Sequence, residues 1–462
     1  MIKFGTDGWR AVISDEFTFA NLRKVAKAIA LYLLKHGFEK KPIIIGYDAR
    51  FLADKFAEEV AKVMEEAGID CFLTERDTPT PVIAWEVKDK KAAGAVMITA
   101  SHNPARYCGI KFIPDYAGPA DESITRELEE KSNKEINLPP ASKKGKVERF
   151  EPRERYCRFI ESFIDPAVIR KANLQVVCDP MYGSGRGYLD RILQNYGCRT
   201  EEIHAQRDVL FGGRNPEPSA ENLEELRSRV KELSAAAGLA NDGDADRFGV
   251  VDEQGNFLAA NQVIPLLFEY LVADRGFSGS VVRSVATSHL IDRIAHSYKI
   301  KLHETPVGFK HIAKIMWQEE VIIGGEESGG LSIKGHIPEK DGILANLLVV
   351  DLLARKKKPL SALWKALVDK YGPTFTGRID LHLTVDKKNQ LISGWEENTP
   401  KEFSGIKVVM ANLLDGVKLI LADGSWILAR PSGTEPLVRV YAESDSQEKL
   451  NSILDSAKNL VY

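Results

Sequence analysis

Helix-length amphipathic segments alternating with short apolar runs constrain the fold of this chain most. Residues 21–36 put Leu22, Val25, Ile29 and Leu33 on one helical face and stop before Gly37. Pro42-Ile43-Ile44-Ile45-Gly46-Tyr47-Asp48 then reads as a buried strand, followed by a helix over 54–67. Apolar strands recur at 92–99, 174–179 and 281–288, each leading into a polar loop. Strands joined through helices pair in parallel and need cover on both faces of the sheet. The pattern predicts repeated α/β units. It changes after Tyr371-Gly372-Pro373, where Arg378-Ile379-Asp380-Leu381-His382-Leu383 and Trp426-Ile427-Leu428 alternate instead. The residues beyond 372 therefore read as a small antiparallel α+β domain.

At 462 residues the chain is too long for one ordinary core. A net charge of -3 gives no electrostatic case for nucleic acid or a membrane surface as partner. The first residues contain no apolar signal-peptide core. The best apolar run, 343–354, carries Asn346 and Asp351 and is too short to span a bilayer, so a buried helix is expected there. Arg355-Lys356-Lys357-Lys358 then reads as its solvated C-terminus, favoured by the helix dipole. The 5 cysteines (71, 108, 157, 178 and 198) are odd in number and lack C-x-x-C spacing, which predicts free thiols and a cytoplasmic protein. Residues 137–146 read as an exposed connection ahead of a helix over 153–164.

Asp242-Gly243-Asp244-Ala245-Asp246-Arg247 carries the strongest chemical signal. Three carboxylates this close repel one another and resist joint burial unless a cation neutralises them. With oxygen donors only, the cation should be hard, Mg²⁺ or Ca²⁺. Arg247 cannot ligate a metal, but its fork suits a phosphate beside one. An EF-hand loop would need Gly where Arg247 stands, and the flanks are strand-like. A solvated acidic turn between two strands is the bland alternative.

Three further segments carry polar chemistry. Thr99-Ala100-Ser101-His102-Asn103-Pro104 follows a buried strand, which delivers Ser101 to the sheet edge where ligands bind in open α/β folds. A Ser–His hydrolase pair is disfavoured there, because adjacent residues on an extended turn rarely face each other and no G-x-S-x-G occurs. Arg430-Pro431-Ser432-Gly433-Thr434-Glu435-Pro436 offers a donor-only pocket fit for a phosphate dianion. Gly324-Gly325-Glu326-Glu327-Ser328-Gly329-Gly330 suits sugar hydroxyls, with a polar turn as the equal alternative.

Taken in order, Phe4-Gly5-Thr6-Asp7-Gly8-Trp9-Arg10, residues 99–104, residues 242–247, Val307-Gly308-Phe309-Lys310, residues 325–330 and residues 430–436 resemble the motifs of the α-D-phosphohexomutase family, the phosphoglucomutase/phosphomannomutase enzymes. The resemblance spans nearly the whole chain. It implies three similar α/β domains with mixed, mainly parallel sheets and a smaller C-terminal α+β domain, arranged around a central cleft. The expected bounds are 1–150 with a phosphoserine loop, 151–258 with a metal-binding loop, 259–372 with a sugar-recognition loop and 373–462 with a phosphate-binding loop. By the same resemblance, Ser101 holds the transferable phosphoryl group. Asp242, Asp244 and Asp246, with the phosphate on Ser101, bind Mg²⁺. His102 and Arg247 face that phosphate or the sugar. Glu326 and Ser328 grip sugar hydroxyls, and Arg430, Ser432, Gly433 and Thr434 bind the non-reacting phosphate, assisted by Lys310 and Arg439. Lys111 resembles the general acid/base and Arg10 lies near it, a charge expected to lower the lysine pKa.

The implied reaction interconverts hexose 1-phosphate and hexose 6-phosphate through a phosphoserine enzyme and a hexose 1,6-bisphosphate, which also serves as activator. The partners are small-molecule sugar phosphates, and the chain is a monomer or homodimer. Closure of the C-terminal domain about residues 370–373 is expected to exclude water. Two positions depart from the family pattern. Cys108 stands where Asn is common, and Gly330 stands where many dual-specificity and glucosamine members have His. The second departure leans towards glucose, with mannose and glucosamine phosphates as alternatives. Of other classes, an aspartyl-phosphate phosphatase would follow D-x-D with Thr or Val, not Arg247. A non-catalytic sugar-phosphate-binding protein of the same fold would be expected to lose Ser101 or a carboxylate.

Overall fold

The computed structural model describes residues 1–5, 7–432 and 437–459. The chain divides into two compact units, one of residues 1–260 and 328–361, the other of 261–327 and 362–462.

In the first unit, a six-stranded sheet runs in the order Trp9–Val12, Tyr107–Pro114, Gly94–Ile98, Ile43–Tyr47, Cys71–Thr74, Val147–Phe150. Ile43–Tyr47 is parallel to both its neighbours because helices Ala53–Glu66 and Thr80–Asp89 carry the chain back between strands. Only a short loop separates Gly94–Ile98 from Tyr107–Pro114. No crossover helix fits there, so these strands pair antiparallel and the Ser101 segment becomes their connection. The sheet is thus mixed. Strand Val147–Phe150 was not legible in the sequence: it is a mostly exposed edge with no apolar alternation. The helix after it ends at Glu161, short of the expected 164.

A second sheet in this unit has the order Phe257–Leu258, Phe248–Asp252, Ala237–Asn241, Gln175–Asp179, Arg199–Glu202. Its last three strands are parallel, whereas Ala237–Asn241 and Phe248–Asp252 form an antiparallel pair joined by residues 242–247. The apolar run forms helix Gly342–Lys356, buried from Gly342 to Ala354. Asp341 caps it by accepting the Leu344 amide at 2.9 Å, and Asn346 donates to the Ala240 carbonyl at 2.9 Å. Lys357 closes it in the left-handed conformation, so the basic run is a helix C-terminus as expected.

In the second unit, strands Leu302–Thr305, Ser280–Ser284 and Val321–Gly325 are parallel. The strand expected over 281–288 stops at Ser284, where a turn leads into helix Leu290–Tyr298. Beyond residue 372 the sheet order is Phe375–His382, Leu437–Ser444, Trp426–Pro431, Val417–Leu421, Ile406–Asn412, Glu402–Phe403, antiparallel at each neighbouring pair. Trp395 of helix Val385–Glu397 and Ile453 of helix Gln447–Lys458 join Val417, Ile427 and Val438 in its core. All five cysteines are free, and no helix among the described residues is long and apolar enough to cross a membrane.

Candidate active site

The acidic turn is buried, which overturns the solvated-turn alternative: Asp242 and Asp244 are fully enclosed and Asp246 nearly so. Ala245 adopts φ +56°, a left-handed kink that reverses the chain between the second and third carboxylates. One oxygen from each acid lies within 4.8 Å of the others. Asp242 accepts the Arg247 amide at 3.0 Å and the Ser101 hydroxyl at 2.7 Å. Asp244 accepts Thr80 Oγ1 at 2.6 Å. The Oδ1 atoms of Asp244 and Asp246 are buried with no hydrogen-bond partner among the described residues. Unpartnered carboxylate oxygens in a buried, oxygen-only cluster fit a hard divalent cation. Burial, followed by repulsion from Asp246 and Asp244, pushes the Asp242 carboxyl well above its ordinary pKa. Burial acts the same way on Asp246, but Lys340, Lys111 and Arg247 outweigh it and hold that carboxyl far below the usual range.

Ser101 follows strand Gly94–Ile98 in the left-handed region, φ +51°, and is almost fully buried. That backbone brings its Oγ to 3.4 Å from His102 Nδ1, so the neighbouring side chains do face each other, contrary to the expectation for an extended turn. Burial, then Arg247 and Arg10, holds the imidazole pKa well below its ordinary value, so His102 is neutral. Arg10 donates to Asn103 at 2.8 Å, tying the first strand to the serine loop.

Lys111, on strand Tyr107–Pro114, reaches Asp7 at 2.9 Å, Asp244 at 3.1 Å and Asp246 at 3.2 Å. The expected lowering of its pKa is therefore wrong. Burial does pull it down, but Asp244, Asp7 and Asp246 outweigh both burial and Arg10, and the lysine is held well above its ordinary value. Two residues given no role by the sequence complete this cluster. Lys340 lies 3.1 Å from Asp246 and 3.5 Å from Asp7. Burial would raise the Asp7 carboxyl, but Lys111, Lys340 and Arg10 bring it to about 2. Asp7 stood inside a quoted motif and was within reach of sequence reasoning; nothing in the spacing of Glu339-Lys340-Asp341 pointed to Lys340.

Models of the four phosphoglucomutase/phosphomannomutase domains match this chain: α/β/α domain I at residues 1–138, domain II at 154–255, domain III at 259–371 and the C-terminal domain at 392–460. The chain belongs to the phosphoglucomutase/phosphomannomutase family. Its members are isomerases, and their four-domain architecture, three α/β domains and a smaller C-terminal one, is that of this chain. A phosphoglucomutase/phosphomannomutase of Thermococcus kodakarensis is 31% identical over 98% of this chain and 96% of its own length. A phosphoglucosamine/phosphogalactosamine mutase of Sulfurisphaera tokodaii is 30% identical over 99% and 98%. A crystal structure provisionally named a phosphomannomutase, from Thermus thermophilus, matches at TM-score 0.88 with 32% identity over 100% of this chain and 99% of that one.

The remaining family motifs fall partly in the second unit. Glu326 is buried and accepts the Gly308 amide at 2.7 Å; Lys310 is half-buried in the first turn of helix Phe309–Gln318. Ser328, half-buried, belongs to the first unit. Arg430 donates through Nε to Asp415 at 2.7 Å, and the same carboxylate accepts the Val307 amide at 2.9 Å. The segment expected to be donor-only thus meets a carboxylate, and Asp415, missed in the sequence, joins the 430 loop to the segment bearing Lys310. Arg439 sits opposite Arg430 in the strand ladder, and buried Ser432 accepts Lys388 Nζ on its carbonyl at 2.9 Å. Gly433 and Thr434 lie outside the described residues.

Proposed function

We propose that this family member is a phosphohexomutase acting on glucose 1-phosphate and glucose 6-phosphate, with Ser101 as the phosphoryl carrier. The observation that carries this reading is the Ser101 hydroxyl placed 2.7 Å from Asp242 at the edge of a buried three-carboxylate cluster. The phosphoryl group on Ser101 passes to the free hydroxyl of a bound hexose monophosphate, leaving the serine hydroxyl and a hexose 1,6-bisphosphate. The bisphosphate reorients, and its other phosphoryl group returns to Ser101. Asp242, Asp244 and Asp246, with an oxygen of the Ser101 phosphate, would hold Mg²⁺. When bound, it supplies positive charge to the transferring oxygens.

The other roles follow from charge and position. Arg247, His102 and Arg10 line the serine loop and contact the phosphoryl group or sugar. Lys111, kept cationic by three carboxylates, acts as the acid of the general acid/base role: it gives a proton to the oxygen the phosphoryl group leaves and donates to the transferring oxygens. Glu326 and Ser328 hold sugar hydroxyls. Arg430, Ser432, Gly433, Thr434 and Arg439, with Lys310, hold the phosphate that is not reacting. The division at 1–150, 151–258, 259–372 and 373–462 gives each loop its own domain. The persistence of Ser101 and all three acids favours catalysis over a binding-only role.

Glucose is favoured by Gly330, which presents no side chain to the sugar. A second reading, glucosamine phosphate, is favoured by relatives: phosphoglucosamine mutase is the commoner name among them. A coupled assay of glucose 1-phosphate, glucosamine 1-phosphate and mannose 1-phosphate, with Mg²⁺ and a trace of hexose 1,6-bisphosphate, tests both. The highest kcat/KM on glucose supports the first reading, and on glucosamine the second. No turnover of any of the three by folded, phosphorylated protein overturns the enzymatic reading.

A further inference from the structure

Arg50 is the most completely bonded buried charge near the serine loop, and no step above uses it. It follows strand Ile43–Tyr47, and its side chain has no exposed surface. A guanidinium carries five N–H donors. Here Nε donates to Asp48 Oδ2 at 3.0 Å. Nη1 donates to the Pro104 and Tyr107 carbonyls, both at 2.9 Å. Nη2 donates to the Ser101 and Asn103 carbonyls, both at 2.7 Å. All five donors are used, three of them on the loop that bears Ser101 and one on Tyr107, where that loop enters its strand. The Phe211 ring, 5.0 Å from the guanidinium carbon, packs against the group.

The other side of Ser101 is held through the same carboxylate. The Ser101 amide donates to Thr99 Oγ1 at 2.8 Å, and Thr99 Oγ1 donates to Asp48 Oδ2 at 2.6 Å. Asp48 Oδ1 also accepts the Arg50 amide at 3.0 Å. A closed ring of Asp48, Arg50 and Thr99 thus binds both backbone groups of Ser101. Gly243 presses on the same residue: a Cβ there would stand 2.7 Å from the Ser101 carbonyl oxygen.

We infer that Arg50, acting with Asp48 and Thr99, is the positioning residue that locks Ser101 in its left-handed conformation and aims its Oγ at Asp242. A left-handed serine is disfavoured and persists only where its surroundings dictate it. The inference rests on the mutase reading, because a serine that gives and retakes a phosphoryl group must present its oxygen at one point in both half-reactions. Misplacement by about 1 Å costs on the order of a hundredfold in rate. Lysine cannot substitute, since three donors cannot satisfy five acceptors and its ammonium lacks the planar fork.

The test is Arg50→Lys in the full chain, compared with wild type for kcat, KM and hydrogen exchange of the amides in residues 101–107. The expected result is a fall in kcat of about a hundredfold, KM within about threefold, and faster exchange confined to that loop. A kcat within about twofold of wild type, or unchanged loop exchange, overturns the inference. Should Arg50→Lys fail to fold, Thr99→Val and Thr99→Ser decide. Loss of the hydroxyl should lower kcat at constant KM, and the serine variant should recover most of it; equal activity of the two overturns the inference. The exchange measurement needs no turnover. If wild type proves inactive on every hexose phosphate, the mutase reading fails while the loop exchange still reports on Arg50.

Discussion

Ser101 Oγ donates to Asp242 Oδ2 across 2.7 Å, and the two residues are 141 positions apart in the chain. The hydroxyl that would carry a phosphoryl group therefore already touches the cluster that would hold the metal. Ser101→Ala removes one oxygen from a buried turn whose backbone is held by other groups. We expect kcat to fall by more than about a thousandfold. The Kd for sugar phosphate, read by calorimetry, should change by less than about threefold. A variant with near wild-type turnover would remove Ser101 from the mechanism.

Lys111 and Lys340 offset charge on Asp244 and Asp246, but Asp242 still feels the repulsion of both. Mg²⁺ at about a hundred times its Kd should stabilise the wild type by about 2.7 kcal/mol, read as a rise in melting temperature that chelator reverses. Asp242→Asn keeps the shape and removes one charge. Its metal-free form should melt no lower than the wild type, and its Mg²⁺ response should largely vanish. An equal Mg²⁺ response in both proteins would place the ion elsewhere.

Gly330 leaves room that the stem of Lys340 fills: a Cβ on residue 330 would stand 2.4 Å from Lys340 Cδ and 2.8 Å from its Cγ. Gly330→Ala should push the ammonium away from Asp246 and Asp7. The expected cost is about 1–3 kcal/mol in stability, with kcat reduced at least about tenfold. Lys340→Met should reproduce the kinetic loss without the overpacking. Normal kinetics in both variants would show that Lys340 plays no part in turnover.

Lys418 inserts from strand Val417–Leu421 towards the Val285 carbonyl at 2.7 Å, His289 at 2.7 Å and Glu304 at 3.1 Å. Burial first, then Arg283, lowers its pKa from 10.5 to about 8 against the pull of Glu304. Between pH 8 and 10.5 the unfolded chain binds the proton more tightly than the native state, so stability attributable to this group rises with pH. At about 1.4 kcal/mol per pKa unit, the change across that window is about 3 kcal/mol. Denaturant titrations of wild type and Lys418→Met at the two ends of the window should show the difference shifting towards wild type at high pH. A pH-independent difference would mean that the lysine is not held below its ordinary value.

The sequence by itself determined the apolar strands and helices of the interior and the chemistry of the motifs. Apolar periodicity marked the strands Ile43–Tyr47, Gly94–Ile98 and Gln175–Asp179 because burial on both faces forces continuous apolar runs. Three acids without nitrogen or sulfur neighbours marked a cluster whose donors suit a hard metal, because donor chemistry is a property of residue type. The basic run 355–358 marked the end of the buried helix, because cationic groups favour a helix C-terminus.

Only the tertiary structure decided what those groups meet. The expected pKa shift of Lys111 had the wrong sign because it weighed Arg10 alone, while Asp7 of the same motif, and Asp244 and Asp246 more than 130 positions away, lie against the lysine in the fold. Lys340, Asp415 and Arg50 escaped notice for the same reason: each acts through partners supplied by other segments. Strand Val147–Phe150 was invisible because an exposed edge strand places little demand on side-chain type. Periodicity and residue chemistry are local and can be read along the chain. Electrostatic energy depends on distance in space and on burial, and both are fixed only when distant segments pack together.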